Sequence, residues 1–346
     1  MSTPRERMTI ALEGGTPDIT PYSYYTWMRN RENEKDKAAW DRVHDLGLAY
    51  CHHCGTVAHL EHGVTNETRE EKQGSDTYTI STKTCPAGSL QMVRRNGWHH
   101  EDWIKTPEDY LVRKWMIENT ELRPVYDTYW QAEEFTGDRG IVAVNGSRTP
   151  LMSINLDWAG TEQFCMDVAL EVPELFELYE AQKKLFIEET KLLAAGPGRF
   201  VKWFENLTIS MIGPRRYRDY LCNIYAEAVP ILEAGNKRVW VHYDGELRCI
   251  ADDIAASPLH GIESLTEAPE GDMTYAECRQ AWPDKVLWAN LNVDLYYQPH
   301  DVLRQAVIDK RNRAGKRGFI FEISEDLPAG WEESVPVVLK TLEELG

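Results

Sequence analysis

The stretch Arg238-Val-Trp-Val-His-Tyr-Asp-Gly245 decides how the chain is read. Val239, Trp240 and Val241 form a short apolar run that stops abruptly at His242, Tyr243, Asp244 and Gly245. An apolar run this short, bounded by turn chemistry and flanked by helical patterns, predicts a buried parallel strand. Ionisable groups just past the C-terminal end of such a strand stand where α/β barrels build their active sites. His242 is open to three readings there: a metal ligand, an acid-base group or a satisfied turn residue.

Working outward, the same unit recurs. Strands are predicted over 141–144, 200–204, 239–241, 261–265, 285–291 and 318–323, with helices over 162–194 (split near Pro173), 214–233, 247–255, 274–282, 301–313 and 331–345. Upstream, 5–13 has a helical pattern, 19–27 a first strand with its loop, and 46–50 a second strand. Alternating strands and helices imply parallel strands with right-handed crossovers. About eight such strands close a barrel, so the fold class is α/β, a (β/α)8 barrel in a single domain spanning 1–346. No Gly-x-Gly-x-x-Gly or Walker pattern follows any strand, which disfavours a nucleotide-binding open sheet. Between 65 and 100 the period changes to two, as in Thr77-Tyr-Thr-Ile-Ser-Thr82 and Gly88-Ser-Leu-Gln-Met-Val93, and predicts a β-hairpin insertion. Thr106, Pro107 and Asp109 then mark a helix start by N-cap, first-position proline and capping box.

Composition narrows the function. The 346 residues carry 56 Asp+Glu against 38 Lys+Arg, a formal charge of -18. A balance so acidic, with no basic run, argues against a nucleic-acid partner. Seven scattered cysteines, an odd number, speak against a disulfide framework and for a reducing cytoplasm. No run approaches the roughly 18 apolar residues of a spanning helix, and no apolar signal core opens the chain, so no membrane partner is expected.

The strand ends carry the chemistry. Glu205 follows the 200–204 strand, His242 and Asp244 the 239–241 strand, and Glu263 and Glu322 sit within 261–265 and 318–323, with Glu325 and Asp326 just beyond. In a barrel these groups converge on one mouth. One histidine with several carboxylates suits a hard or borderline divalent metal, Zn²⁺ among them. Taken singly, each carboxylate is equally a helix cap or a partner of Arg215, Arg216, Arg248 or Lys316. Glu227 falls about three turns into its helix and is expected at the surface. Cys51-His-His-Cys54, with His59 and His62 beyond, lacks the second cysteine pair of a zinc knuckle. His52 or His53 instead lines the mouth beyond the second strand, and His99-His100 is expected at the surface. Tyr22, Tyr24, Tyr25 and Trp27 cluster past the first strand, where aromatic rings stack on a planar ligand or fill the core.

Several segments resemble the uroporphyrinogen decarboxylase superfamily. Arg5-Glu-Arg-Met-Thr-Ile-Ala-Leu-Glu-Gly14 with Pro17-Asp-Ile-Thr-Pro21 is similar to its opening helix and first strand. His242-Tyr-Asp-Gly245, Gly261-Ile-Glu-Ser-Leu265 and Gly271-Asp-Met273 resemble its central strands, and Thr84-Cys-Pro-Ala-Gly88 its insertion. The resemblance covers nearly the whole chain and implies a (β/α)8 barrel. The family's Arg-rich porphyrinogen grip is absent: Pro21-Tyr-Ser-Tyr-Tyr-Thr-Trp-Met28 reaches its first arginine only at Arg29. The other branch comprises zinc methyltransferases that exchange methyl groups with a corrinoid protein, some through His-x-Cys and a later cysteine. Here the matching positions are His242-x-Asp244 and Glu322, oxygen donors where thiols stood. The chain thus looks most like ether-cleaving aryl O-demethylases. That resemblance implies His242, Glu263 and Glu322 as ligands of Zn²⁺, with Glu205 as fourth ligand or general acid, and Glu227 or water as other candidates for the fourth position. It implies Tyr24, Tyr25 and Trp27 stacked on a methoxylated ring with His52 nearby, Asp244 orienting His242 or the leaving group, and a partner protein carrying a corrinoid (cobalamin). A homodimer stays open.

Overall fold

The computed structural model describes residues 2–25, 28, 34–324 and 327–346, so Trp27, Glu325 and Asp326 lie outside the described residues. Two compact units form: Met1–Thr56, Tyr126–Gly146 and Gly196–Gly346 in one, Val57–Val125 and Ser147–Ala195 in the other.

The first unit is a closed barrel. Its strands are β1 (Tyr22–Tyr25), β2 (Ala49–Gly55), β9 (Gly140–Gly146), β10 (Phe200–Trp203), β11 (Arg238–His242), β12 (Gly261–Leu265), β13 (Val286–Leu291) and β14 (Phe319–Ile323). Eight parallel strands close in the order β1-β14-β13-β12-β11-β10-β9-β2. The (β/α)8 expectation holds, and β12 has the expected bounds. The largest departure is β2, expected over 46–50, which begins only at Ala49. The segment before it is a turn, not a strand: Gly47 takes φ +97° and Leu48 N–H returns to Val43 O at 3.0 Å.

Strand alternation sends every second side chain into the barrel. At the N-terminal end this gives an apolar layer of Ala49, Ile141, Phe200, Trp240, Val286, Trp288 and Ile320. The helix Pro4–Leu12 lays Met8, Ala11 and Leu12 against it as a floor. Thr3 caps that helix, with Pro4 at its first position and Glu6 completing a capping box. Gly261 is required by close approach: a Cβ there would stand 2.6 Å from the Trp240 indole and 2.6 Å from Val286 O.

In the second unit β3 (Val57–Glu61) pairs antiparallel with β8 (Thr120–Pro124). Between them run β4 (Thr65–Gln73), β5 (Asp76–Cys85), β6 (Gly88–Arg95) and β7 (Trp98–Glu101) as a four-stranded antiparallel sheet. The insertion is therefore larger than a hairpin. Its edge strand β4 is exposed throughout and carries Glu67, Arg69, Glu70, Glu71 and Lys72, charges that discourage edge-to-edge pairing. Thr106 N–H donates to Asp109 Oδ2 at 2.9 Å, the expected helix start. No helix among the described residues is long and apolar enough to cross a membrane, and all seven cysteines are free.

Candidate active site

One step above the apolar layer, the inward positions turn polar. β10 contributes Lys202, β11 His242, β12 Glu263 and β14 Glu322, all buried. Lys202 Nζ lies 2.8 Å from Glu263 Oε2, with side-chain exposures of 2% and 0%, so this ion pair is dry. His242 Nδ1 meets the same oxygen at 2.7 Å. Its Nε2 lies 3.2 Å from Asp244 Oδ1. Lys202 also donates to Tyr25 Oη at 3.2 Å and lies 4.4 and 4.3 Å from the ring centroids of Tyr25 and Phe204. The His53 ring packs on both, 5.2 Å from Tyr25 and 5.1 Å from Phe204. The Lys202 ammonium thus sits against the rings of Tyr25 and Phe204, with His53 packed on both.

Glu322 stands beside this array. Ser23 Oγ approaches its Oε1 at 3.4 Å, and Trp288 Nε1 donates to Ser23 Oγ at 3.1 Å. Burial pushes the Glu322 carboxyl up to about 7, against the opposing pull of Lys202, Glu263, His242 and Ser23. Near neutral pH it is poised between acid and carboxylate. Burial, further aided by the Glu322 charge, pushes the Cys51 thiol well up, so it stays protonated. Burial pushes His53 well below its ordinary value, leaving a neutral imidazole whose Nε2 lies 3.2 Å from Cys51 Sγ.

A strand irregularity completes the site. The β12–β13 register shifts between Ile262 and Leu265, and Ser264 takes φ +64°. Consecutive strand residues ordinarily face opposite ways; an extra residue re-aims one of them. Ser264 Oγ therefore donates to Asp244 Oδ1 at 3.0 Å and accepts from Asn290 Nδ2 at 2.8 Å, beside Glu263. Burial raises the Asp244 carboxyl, but His242, Ser264 and Lys202 outweigh it and hold it below the ordinary value.

The structure thus brings His242, Glu263, Glu322, Asp244 and Tyr25 together. Of three other expected residues, strand parity turns Tyr24 and His52 outward, and Glu205 lies past the end of its strand. Tyr24 points outward, stacked on Trp40 at 4.7 Å and bonded to His44 Nε2 at 3.0 Å, so it is a packing residue. His52 also points outward, to Thr136 Oγ1 at 3.3 Å and against Phe135, and His53 is the inward histidine. Glu205, two residues past β10, is buried. Tyr243 Oη donates to Tyr225 Oη at 2.9 Å, and Tyr225 hydrogen-bonds Glu205. Glu205 therefore joins this tyrosine cluster. Glu227 is exposed on its helix, as expected. Cys51 faces the interior while Cys54 feels Glu133 on the outer side, so that pair shares no ligand.

Zinc does not fit this arrangement. Among the described residues no group of three or more His, Cys, Asp or Glu side chains is placed to hold a metal ion. Glu263 Oε2 is already met by an ammonium and an imidazole. Two unit charges of like sign about 4 Å apart repel by roughly 4 kcal/mol at an effective dielectric near 20, and a divalent ion doubles that. Lys202 itself was missed in the sequence, although Phe200-x-Lys202-x-Phe204 is an inward alternation with a charge at its centre.

No family model and no curated protein matches the sequence. Solved structures do. A methyltransferase from Methanosarcina mazei superposes with TM-score 0.59 at 12% identity, over 100% of this chain and 99% of that one. A B12-independent methionine synthase from Shewanella sp. W3-18-1 gives 0.44 at 10% identity, over 89% and 85%. A catalytic module of the pneumococcal exo-beta-D-N-acetylglucosaminidase StrH gives 0.40 at 10%, over 98% and 84%. At these identities the first likeness establishes a shared barrel fold, spanning both chains almost end to end.

Proposed function

We propose that this chain is a methyltransferase that takes the methyl group of a small methoxylated aromatic and passes it to a corrinoid carried by a partner protein. The observation that carries the reading is the dry Lys202–Glu263–His242 array with Glu322 beside it, against the rings of Tyr25 and Phe204 with His53 packed on both. Buried charges gathered at the C-terminal ends of barrel strands are costly for folding and are the usual signature of a site that does chemistry. These aromatic rings suit a planar ligand. The barrel fold shared with a methyltransferase is in keeping with methyl transfer, and the resemblance of the sequence suggests the corrinoid.

An aryl ether breaks at its methyl carbon only if the departing oxygen is stabilised as it gains the bonding pair. Glu322, held near its protonated form, donates that proton, so that the products are a phenol and the Glu322 carboxylate, which solvent reprotonates. Lys202, paired with Glu263, supplies positive charge near the developing negative charge. Asp244 and Glu263 fix the His242 ring from both sides. The partner's reduced corrinoid supplies the nucleophile that accepts the methyl group.

Incubating the chain with a reduced corrinoid protein and a panel of methoxyphenols tests this. One phenol should appear, by chromatography, for each methyl group transferred. Transfer from methanol, a methylamine or a methylthiol alone would reject the ether substrate. Loss of carbon dioxide from a carboxylate substrate, with no methyl transfer from any donor, would reject the class.

A further inference from the structure

We infer that Lys202 is the resident cation of this site, standing where a divalent metal would stand, so that the barrel mouth excludes zinc and works without it. The inference concerns the site proposed above, but it is measured without substrate.

The placement of Lys202 is the first ground. It lies on β10 between Val201 and Trp203, inside a barrel strand that is otherwise apolar, and its ammonium is buried. A lysine in such a place must be compensated, and here the compensation is specific. Glu263 takes the charge at 2.8 Å, Tyr25 Oη accepts a hydrogen bond, and the faces of Tyr25 and Phe204 supply cation–π contacts. The stem of the side chain is fixed by the strand, so the ammonium cannot withdraw to solvent as a surface lysine would.

The second ground is what the remaining donors do. A zinc centre needs three or four donors around one point, at roughly 2.0–2.2 Å for nitrogen and oxygen. His242 has Nδ1 at Glu263 and Nε2 at Asp244, so both ring nitrogens face carboxylates within the chain. Glu263 Oε2 is shared by Lys202 and His242. Glu322 Oε1 lies 3.4 Å from Ser23 Oγ, which accepts from the Trp288 indole, and its buried Oε2 has no hydrogen-bond partner among the described residues. His242 and Glu263, which suggest a metal from the sequence, are here tied to each other and, through Glu263, to an ammonium ion.

Removing the ammonium should therefore open the site to a metal. The native chain, purified with added zinc and passed through a desalting column, is expected to hold far below one equivalent by elemental analysis. A chelator should leave its melting temperature unchanged. Lys202→Met is expected to take up about one equivalent of zinc and to melt higher with zinc than without it. Adding His242→Ala to that variant should abolish the uptake. Stoichiometric zinc retained by the native chain, at a site lost on His242→Ala or Glu263→Gln, would overturn the inference. So would a folded Lys202→Met variant, judged by circular dichroism, that binds no zinc. Should Lys202→Met not fold, the native chain's zinc content decides alone. None of these results depends on a methyl donor, so failure here and failure of the methyl-transfer reading are separate outcomes.

Discussion

Along β10, β11 and β12 the interior of the barrel changes character within two residues. Phe200, Trp240 and Gly261 belong to a layer closed by the helix Pro4–Leu12; Lys202, His242 and Glu263, the next inward positions, form a charged array. Both layers are buried and stand on the same strands, so the main difference is one of side-chain chemistry. The lower layer gains stability from apolar contact. The upper layer holds charges whose desolvation opposes folding, and a protein retains such a layer for what it does there. The contrast yields measurable expectations.

Trp240→Ala removes the largest inward side chain between β10 and β12 and is expected to lower stability by about 3–5 kcal/mol, read from the urea midpoint. A loss under about 1 kcal/mol would contradict the assignment of the lower layer as the load of the fold. Lys202→Met leaves Glu263 buried and uncompensated, and is expected to lower stability by about 3–5 kcal/mol in the absence of metal. The double variant Lys202→Met/Glu263→Gln should recover most of that loss, because it removes both charges together. Additive losses in the cycle would mean that the two residues are not a pair in solution.

Glu322→Gln separates function from folding. It is expected to lower phenol formation by about 100-fold while leaving the urea midpoint at pH 7 equal or higher. Its pH dependence has a definite sign. The carboxyl is raised from 4.5 to about 7 by burial, so the folded state keeps a proton that the unfolded chain has released. That contribution to stability is full below about pH 4.5 and is lost as the pH rises towards about 7. Native protein should therefore lose stability across this window, and Glu322→Gln should flatten that part of the curve. The smallest expected effect is that of Asp244→Asn, which weakens the hold on His242 from one side. About a tenfold drop in turnover, with little change in the urea midpoint, would fit a positioning residue. An unchanged rate would place Asp244 outside the machinery.

How much of this was legible in the sequence follows from the same two layers. Strands β11 to β14 are short apolar runs between turn residues, and their ends marked His242, Glu263 and Glu322 without reference to any structure. Facing was not legible where polar residues or large rings occur in succession. Tyr24 and Tyr25, or His52 and His53, are interchangeable by composition; only the parity set by the neighbouring strands decides which one points inward. Glu205 follows the end of β10 and hydrogen-bonds Tyr225, a contact that no local pattern announces. Lys202 was passed over because a lysine in an apolar run looks like a strand interruption. Its partner, Glu263, is 61 residues away in sequence, and no local pattern reports such a pair. Ser264 joined the site only through a left-handed residue at a bulge, which the sequence Gly261-Ile-Glu-Ser-Leu265 does not announce.

The helix Pro4–Leu12 has one more implication. With Met8, Ala11 and Leu12 packed on the N-terminal end of the barrel, that end is plugged, and whatever reaches Glu322 has to come and go by the opposite end. Arrival and departure then share a single passage. In the proposed reaction a bound phenol would have to clear it before the next methoxylated ring entered, so added product is expected to compete with the substrate, raising its apparent KM without lowering kcat.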